Sequence, residues 1–475
     1  MKSLHILYLL CLSLIIPSAW SQDAPVFKAG AATSNITPWR GLSLAGSMRD
    51  RKMSLVHDEL HTRAIVLDDG TARVALATID SCMVPRDIII AAKAIAEEAT
   101  GIPSSHMLIA ATHTHSAPCS TSVFQSGPDP DYSRFLTQRA AEAIINANHR
   151  RQPARIGYGS GSLPDEVFNR RWFLKEGTMP DNPFGKKDTV KMNPPRASEN
   201  LVKPAGPIDP EIAFLALEDL KGKPLALLAN YSLHYVGGTG SGETSGDYFT
   251  IFTNRIAQML GQPDGDGPFV GIMSNGTSGD INNVDFTKPG KRQPPYEQMT
   301  IVANKAAGEV FRAYQDIEFI DWVQLDAAEI DLKLGVRKPT AEEVTEAKAV
   351  MAKAHGPAMK KLQEIYARET VQLDDYPDTV PVRLQALRLG DWAISAIPCE
   401  VFVEIGLELK AKTPFKRTFT MELANGYNGY LPTAKQHSYG GYETWRAKSS
   451  YLEVTASSKI ISELLKLHNQ IAPKK

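Results

Sequence analysis

Apolar and polar residues along the chain follow two periods, one typical of β-strands and one typical of helices. Apolar runs of strand length, several ending at Asp-Gly or Lys-Gly turns, predict strands. Those strands fall within residues 27–38, 61–70, 72–80, 107–115, 212–217, 224–234, 269–275 and 382–397. Apolar residues spaced three or four apart predict helices at 85–100, 132–149, 248–260, 297–315, 340–370 and 456–471. The alternation of strands and helices predicts an α/β fold, with a mixed β-sheet core flanked by helices.

The pattern is interrupted once, between residues 171 and 210, where Pro, Lys, Asn and Gly predominate. Periodic structure resumes directly afterwards, so this stretch is interpreted as a long surface excursion or a substrate-side loop, and not as a domain linker. No other change of composition resembles a linker. We therefore expect residues 22–475 to form a single large domain.

Residues 1–21 have the pattern of a secretory signal peptide. Lys2 supplies the positive charge, residues 4–17 the apolar stretch, and Ser18 to Ser21 a small-residue exit. The stretch is short for a membrane span, and no later apolar run exceeds strand length. The sequence thus predicts a secreted or periplasmic protein without a stable membrane span. An uncleaved anchor at the N-terminus is the alternative.

Charge and cysteine content narrow the classes of partner. The formal net charge of −1 over 475 residues gives no support for binding to nucleic acid. Cys82, Cys119 and Cys399 remain after signal cleavage, which is too sparse a set for a disulfide scaffold. At most one bridge is expected.

Candidate chemistry gathers where three predicted strands end. His113 and His115 lie two residues apart in Thr-His-Thr-His-Ser, so on a strand both would point to the same face. His234 ends a second apolar run, and Glu400 follows a third. Strand ends of an α/β sheet can meet in one crevice, and two imidazoles with one carboxylate are a frequent zinc set. Histidines that are simply hydrogen-bonded at strand ends are the alternative.

Several motifs, in matching order, resemble those of the neutral/alkaline (non-lysosomal) ceramidases and their shorter bacterial relatives. They are Ile36-Thr-Pro, His57-Asp58 with 63–67, Thr112–Ser116, Asn169-Arg170, His234 with Ser245-Gly-Asp-Tyr248, Pro398-Cys-Glu400, and Asn425-x-Tyr-x-x-Tyr430 with Tyr442-Glu443. No single motif decides the matter, and the ordered set spans most of the predicted mature chain.

The resemblance implies an active site at the strand ends and a zinc ion held by His113, His234, Glu400 and Tyr430. It also implies cleavage of an amide in an N-acyl lipid by zinc hydroxide, as in sphingolipid metabolism. The same resemblance gives roles near the substrate or in proton transfer to the residues His115, Arg170 and Tyr442.

The chain departs from the family pattern in one loop. A family serine implicated in catalysis is replaced by Asn282, whose amide can hydrogen-bond but cannot act as a nucleophile. Asp280 in the same loop could orient a ligand or simply form a turn, and His57-Asp58 could support the metal site or cap a helix or turn. The immunoglobulin-like C-terminal domain of the longer ceramidases is also expected to be absent.

These departures leave three hypotheses about function. The first is a zinc-dependent amidase with a lipid substrate, which needs a deep apolar channel. The second is a zinc enzyme acting on a glycan or glycoconjugate in a polar, open crevice. The third is a binding protein for a small molecule that keeps the scaffold without catalysis. The intact set His113, His234, Glu400 and Tyr430 argues against the third.

Overall fold

The structure is a computed structural model that describes residues 25–262, 269–354 and 358–473. The predicted signal peptide at residues 1–21 lies outside these ranges. The strands are β1 Lys28–Asn35, β2 Ser43–Leu44, β3 Arg51–Lys52, β4 Leu55–Val56, β5 His61–Asp68, β6 Arg73–Ile79, β7 Met107–Ala111, β8 Gln152–Ser162, β9 Phe168–Asn169, β10 Arg171–Leu174, β11 Val190–Met192, β12 Leu201–Pro204, β13 Glu211–Asp219, β14 Pro224–Tyr231, β15 Glu243–Thr244, β16 Val270–Asn275, β17 Ile281–Asn282, β18 Phe319–Ile320, β19 Leu325–Gly335, β20 Thr379–Leu389, β21 Trp392–Ile397, β22 Glu400–Val401, β23 Arg417–Glu422 and β24 Tyr430–Leu431.

Most helices begin and end close to the predicted residues. They are α1 Arg86–Thr100, α2 Pro130–His149, α3 Asp247–Met259, α4 Glu297–Tyr314, α5 Ala341–Ala352, α6 Leu362–Asp374, α7 Val403–Lys412, α8 Ala434–Tyr439 and α9 Ala456–Ile471. Local signals explain several starts: Asp129 caps α2 ahead of Pro130, and Thr340 with Glu343 forms a capping box on α5.

Two sheets form the centre of the molecule. The larger has the order β16-β14-β13-β8-β1-β5-β6-β7, with β18 paired to β8. Its pairs β14–β16 and β6–β7 are parallel and the other pairs are antiparallel. The smaller sheet has the order β19-β20-β21-β23. The expected mixed sheet flanked by helices is confirmed.

The sheets pack face to face, so the molecule has four layers. Apolar side chains from both sheets, such as Ile65, Ile394 and Phe419, form the core between them. Helices α1 to α4 cover the outer face of the large sheet, while α7 and α9 cover the outer face of the small one. The sequence pattern did not predict the division into two sheets, because a strand buried on both faces looks the same in either.

Two stretches differ from prediction. The helix expected over 340–370 is two helices, α5 and α6, and the sequence between them contains Gly356-Pro357, which does not favour a continuous helix. The expected loop at 171–210 contains a small three-stranded sheet of β10, β11 and β12. This small sheet holds Arg171, which is fully buried. Within the described residues, no helix is both long enough and apolar enough to cross a membrane.

Candidate active site and metal centre

Loops that follow β7, β14 and β21 meet at one end of the two-sheet core and enclose a cavity of about 310 Å³. Seven of the nine predicted site residues line it: His113, His115, Arg170, His234, Glu400, Tyr430 and Tyr442. The structure therefore brings together side chains that are almost 330 positions apart in the sequence. It does not bring Asn282 or Asp280 to the cavity wall.

The first two histidines reach the cavity by a route that the sequence did not predict. Strand β7 ends at Ala111, so neither His113 nor His115 lies on it. His113 adopts a left-handed backbone with φ of 78°, which an L-residue rarely does. Its N–H is held by the carbonyl of Ser81 at 2.8 Å. The turn, and not strand alternation, places the two Nε2 atoms 3.2 Å apart.

Hydrogen bonds fix the tautomer of all three histidines. Each Nδ1 lies within hydrogen-bond distance of a backbone carbonyl oxygen, which can only accept. The distances for His113, His115 and His234 are 2.6 Å to Cys82, 3.0 Å to Gly46 and 3.2 Å to Ser278. Each Nδ1 therefore carries the proton, and each Nε2 presents a lone pair to the cavity.

The three lone pairs and one carboxylate oxygen point at one another. His113 Nε2 lies 3.1 Å from His234 Nε2 and 3.4 Å from Glu400 Oε2. That Oε2 is buried and has no hydrogen-bond partner among the described residues. Facing lone pairs beside an unpartnered carboxylate repel unless a cation lies between them. Two nitrogens bound to a tetrahedral zinc ion at 2.0–2.1 Å would be about 3.3 Å apart. The ligand atoms of His113, His234 and Glu400, all within 4.8 Å of one another, thus fit zinc.

Burial keeps these groups in the form that binds a metal. It lowers the pKa of both His115 and His234 well below the usual value, so the two rings are neutral at ordinary pH. Burial alone would raise the pKa of Glu400. A hydrogen bond from Tyr430 and the positive charge of Arg170 act against burial, and the pKa of Glu400 is lowered.

Among the described residues, Arg170 is the one cationic side chain in the cavity wall, and a buried hydrogen-bond network holds it. Its Nε donates to Glu443 at 2.9 Å, and its Nη2 donates to the Gly279 carbonyl at 2.8 Å and to the Tyr430 hydroxyl at 3.2 Å. Its Nη1 lies 3.3 Å from His234 Nε2, facing the cavity. Burial would lower the pKa of Arg170, but Tyr430 and Glu443 hold it above its usual value.

Two buried carboxyl groups that were not among the predicted site residues support this arrangement. Glu443 also binds Arg171 at 2.6 Å, so one carboxylate links two adjacent arginines. Its position after Tyr442 in the Tyr-Glu motif was a signal for it. Glu422, fully buried at the end of β23, accepts hydrogen bonds from the Ser278 hydroxyl at 2.6 Å and from the Val401 N–H at 2.6 Å.

Glu422 is therefore connected to two of the four metal-ligand candidates, His234 and Glu400. Ser278 contacts His234 Nδ1, and Val401 follows Glu400 directly. Burial raises the pKa of Glu422 well above its usual value. Gly279, next to Ser278, packs directly against the backbone of Glu400. A Cβ at this position would lie 2.6 Å from the Glu400 carbonyl oxygen, which leaves no room for a side chain.

Tyrosines line the rest of the polar wall. Tyr427 donates to Glu400 Oε1 at 3.0 Å, and the ring of Tyr235 stacks on His115 with centroids 3.6 Å apart. Neither was predicted as a site residue, although Tyr427 stands inside the Asn-x-Tyr-x-x-Tyr motif. Tyr442 also lines the cavity, and its hydroxyl is a possible hydrogen-bond donor to a ligand.

Apolar side chains form another part of the cavity lining, called the apolar wall here. They are Ala45, Met48, Met83, Val123, Phe124 and Met192. Phe124 packs against Tyr366 of α6 with ring centroids 6.0 Å apart, so the α6 helix supports this wall. Methionine side chains are flexible and adapt to ligands of different shape. Cys119 also lines the cavity, and Cys82, Cys119 and Cys399 are all free thiols.

Comparison with known proteins agrees with the motifs. No established family profile matches the chain. Neutral ceramidase B of Dictyostelium discoideum is 22% identical over 240 residues, which are 48% of this chain and 31% of that protein. The structure of neutral ceramidase from Pseudomonas aeruginosa superimposes with a TM-score of 0.70 at 18% identity, over 95% of this chain and 76% of the other. The resemblance to the neutral ceramidases is confirmed.

A second structure, of a ceramidase complexed with C2, superimposes with a TM-score of 0.72 at 15% identity over the same shares of the two chains. At these identities the structures establish the neutral ceramidase fold. The aligned segment covers about a third of the curated Dictyostelium ceramidase.

The loop that departs from the neutral ceramidase pattern lies beside the cavity. Asn282 donates from its amide to the Asn193 side chain at 2.8 Å, and Asn193 lines the cavity. Asp280 is buried and accepts from the Asn169 amide at 2.7 Å and the Val403 N–H at 2.9 Å. Burial raises the pKa of Asp280 to about 6. These contacts give Asp280 a structural role, in holding the segment that carries Arg170.

His57 and Asp58 also lie away from the metal-ligand candidates. The ring of His57 stacks on Tyr296 with centroids 3.5 Å apart, and Asp58 accepts from the Gly246 N–H at 2.7 Å. Asp58 therefore anchors the start of α3, which corresponds to the capping alternative.

Proposed function

We propose that this chain is an exported, zinc-dependent hydrolase that cleaves an N-acyl amide bond. The observation that carries the proposal is the meeting of three unprotonated Nε2 atoms with the unpartnered Glu400 oxygen in a cavity wall. The neutral ceramidase fold agrees with it. The pattern of residues 1–21 supports export.

His113, His234 and Glu400 would hold the zinc ion, with the Tyr430 hydroxyl beside Glu400 as a fourth ligand. When bound, zinc polarises a carbonyl and supplies hydroxide at neutral pH. This donor set satisfies the lone pairs that otherwise face one another.

The side chains around the metal-ligand candidates would transfer the proton and stabilise the reacting carbonyl. His115 is neutral and stacked on Tyr235, and its Nε2 lone pair lies 3.2 Å from His113 Nε2. It can take a proton from the attacking water at Nε2 and pass that proton to the leaving amine. Arg170 and Tyr442 can donate hydrogen bonds to the oxygen of the reacting carbonyl as it gains negative charge. Because Glu443 and Gly279 hold Arg170, that donor needs little reorganisation.

The apolar wall supports an acyl chain as the group on one side of the amide. Met48, Phe124 and Met192 offer it a surface without hydrogen-bond donors. One solved relative is a ceramidase complexed with C2. A glycan or glycoconjugate substrate is the second candidate, since Asn282 in place of the family serine changes the loop beside the cavity.

The test is release of fatty acid from a short-chain ceramide by zinc-loaded protein. A chelated sample and a His234→Ala variant serve as negative controls. The matched control is His149→Ala, which removes an exposed histidine at the end of α2, far from the cavity. We expect release by the unmodified protein and by His149→Ala, and its loss in the other two samples.

No release from ceramide or other N-acyl amines, with zinc still bound, would contradict amide hydrolysis. The same assay on glycoconjugates then tests the second candidate. Failure of the protein to retain zinc at all would overturn both.

A further inference from the structure

A second cavity lies next to the catalytic one and has a basic wall. It measures about 580 Å³ and carries three cationic side chains, from Arg196, Lys288 and Lys291. We call it the basic recess. No Asp or Glu is among its lining residues, although the whole chain is close to neutral, with a formal net charge of −1. The positive charge is therefore a local feature.

Two segments run directly from the catalytic cavity into the basic recess. Tyr235 lines the cavity and stacks on His115, and the next residues, 236–239, line the recess. Asn282 is bonded to Asn193 in the cavity wall, and its neighbour Asn283 lines the recess. Thr239 also contacts Ser116, the residue after His115, at 3.1 Å. The two cavities are therefore neighbours, with Asn282 and residues 235–239 in the wall between them.

Two of the three cations have no acidic partner. Lys288 pairs with Asp285 at 2.9 Å. Arg196 donates from Nε to the carbonyl of Lys288 at 3.3 Å, and among the described residues neither Arg196 nor Lys291 forms an ion pair. Two full positive charges thus face a recess beside the catalytic cavity.

Neutral donors accompany these charges. The side-chain amide of Asn283 makes no hydrogen bond to any described residue, and the backbone N–H groups of Gly238 and Thr239 are likewise free within the described ranges. Gly237 and Gly238 both have left-handed backbone, with φ of 74° and 83°, which turns this segment around the recess. Guanidinium, ammonium, amide and backbone N–H donors around one space are a set that suits an oxyanion.

We infer that the basic recess binds an oxyanion, such as a sulfonate, phosphate or carboxylate, carried by the amine portion of the substrate. The inference rests on the proposed function, because it places the amide at the metal candidates and the acyl chain on the apolar wall. The substrate class then becomes an N-acyl compound with an anionic head group. A solvated basic loop without a ligand is the alternative.

The test uses two octyl ureas, which mimic the amide and resist hydrolysis. One carries a sulfoethyl head group and the other a neutral hydroxyethyl head group. Isothermal titration calorimetry on the zinc-loaded protein should show the sulfoethyl urea binding about tenfold more tightly at low salt. The preference should shrink as added salt screens the charges. Equal affinities, or no binding of the sulfoethyl urea, would overturn the inference.

Variants identify the groups responsible. Arg196→Ala with Lys291→Ala should abolish the preference and leave the affinity for the hydroxyethyl urea unchanged. Both side chains are exposed, so folding should be unaffected. Lys221→Ala, at an exposed turn before β14 on the opposite end of the sheet, is the matched control and should keep the preference. A preference that survives in the double variant would contradict the assignment.

A titration with sodium sulfate alone distinguishes a site for the substrate head group from a site that binds any anion. Weaker binding than that of the sulfoethyl urea supports the head group, and equal affinity overturns it. The two proposals fail separately. Ureas that bind with the expected preference while no N-acyl amine is hydrolysed would refute amide hydrolysis and leave the recess assigned.

Discussion

The two ends of the sandwich of sheets are built in different ways. At the cavity end, non-glycine residues adopt left-handed backbone: His113, Asp247, Leu423 and Asn425 have φ of 78°, 58°, 53° and 64°. At the other end, strands are joined by tight turns in which glycine takes that conformation. Those glycines are Gly70, Gly222 and Gly390, with φ of 90°, 82° and 66°.

Left-handed backbone costs about 1–2 kcal/mol for a residue such as His113 or Leu423 and less for Asp or Asn, whereas glycine adopts it at little cost. The cavity end also buries unpartnered polar atoms such as Glu400 Oε2. The backbone of the turn end is thus close to unstrained. At the cavity end, less stable backbone conformations are kept because they place the side chains that line the cavity. Left-handed residues that carry side chains, together with an unpartnered carboxylate oxygen in a cavity wall, are a frequent mark of a functional site.

The largest expected effect comes from neutralising the unpartnered carboxylate. Glu400→Gln should weaken zinc binding by a hundredfold or more. This is on the order of the binding free energy of a structural zinc site divided among its ligands. The metal-free protein should be no less stable than the unmodified one, because the amide can donate to the His113 Nε2 that lies 3.4 Å away. Competition with a chromogenic chelator measures the first effect, and thermal unfolding after metal removal measures the second.

The two measurements together separate a metal ligand from a structural carboxylate. If Glu400 were only structural, Glu400→Gln would lower the unfolding temperature and leave zinc affinity as it was. That pattern would contradict our account of the cavity end.

An intermediate effect on zinc affinity is expected from Glu422, which contacts the residues that position the metal-ligand candidates. Glu422→Leu removes the acceptor for the Ser278 hydroxyl and the Val401 N–H, which position His234 and Glu400. Loss of such a support lowers metal affinity by about 10–100-fold. Chelator competition on the purified variant checks this.

Glu422→Gln is the conservative control, since its amide oxygen can still accept from Val401. Zinc affinity close to that of the unmodified protein is expected for it. Equal losses in Glu422→Leu and Glu422→Gln would show that the support depends on ionised charge, contrary to the raised pKa of this buried carboxyl.

The same contrast explains what the sequence could predict. The turn end was predicted well, because Asp69-Gly70 and Gly390-Asp391 between apolar runs are strong local signals for hairpins. The amphipathic helix at 456–471 was predicted to the residue. The gathering of His113, His234 and Glu400 followed from their places after apolar strands and from the motifs around them.

At the cavity end, the sequence did not predict those features that depend on contacts between distant parts of the chain. Nothing local in Thr-His-Thr indicates that His113 takes a left-handed turn, since the N–H bond to Ser81 that holds it comes from another strand's loop. Glu422 ends an ordinary strand, and only the packing of β23 beside β21 brings it to Ser278 and Val401. The signal peptide and the single domain over 22–475 stay predictions.

The smallest effect is expected at the turn end, with Gly222→Ala. Gly222 has φ of 82° in the hairpin between β13 and β14, and the nearest atom to an added Cβ is 3.9 Å away, so only the backbone conformation is unfavourable. We expect the free energy of unfolding to fall by about 1 kcal/mol, measured by urea denaturation, with zinc affinity unchanged. Gly308→Ala, the same chemical change inside helix α4 with open space around the added Cβ, should instead raise it by roughly 0.5–1 kcal/mol. Loss of zinc binding in Gly222→Ala would mean that the two ends are coupled, and that the turns contribute to the geometry of the site as well as to stability.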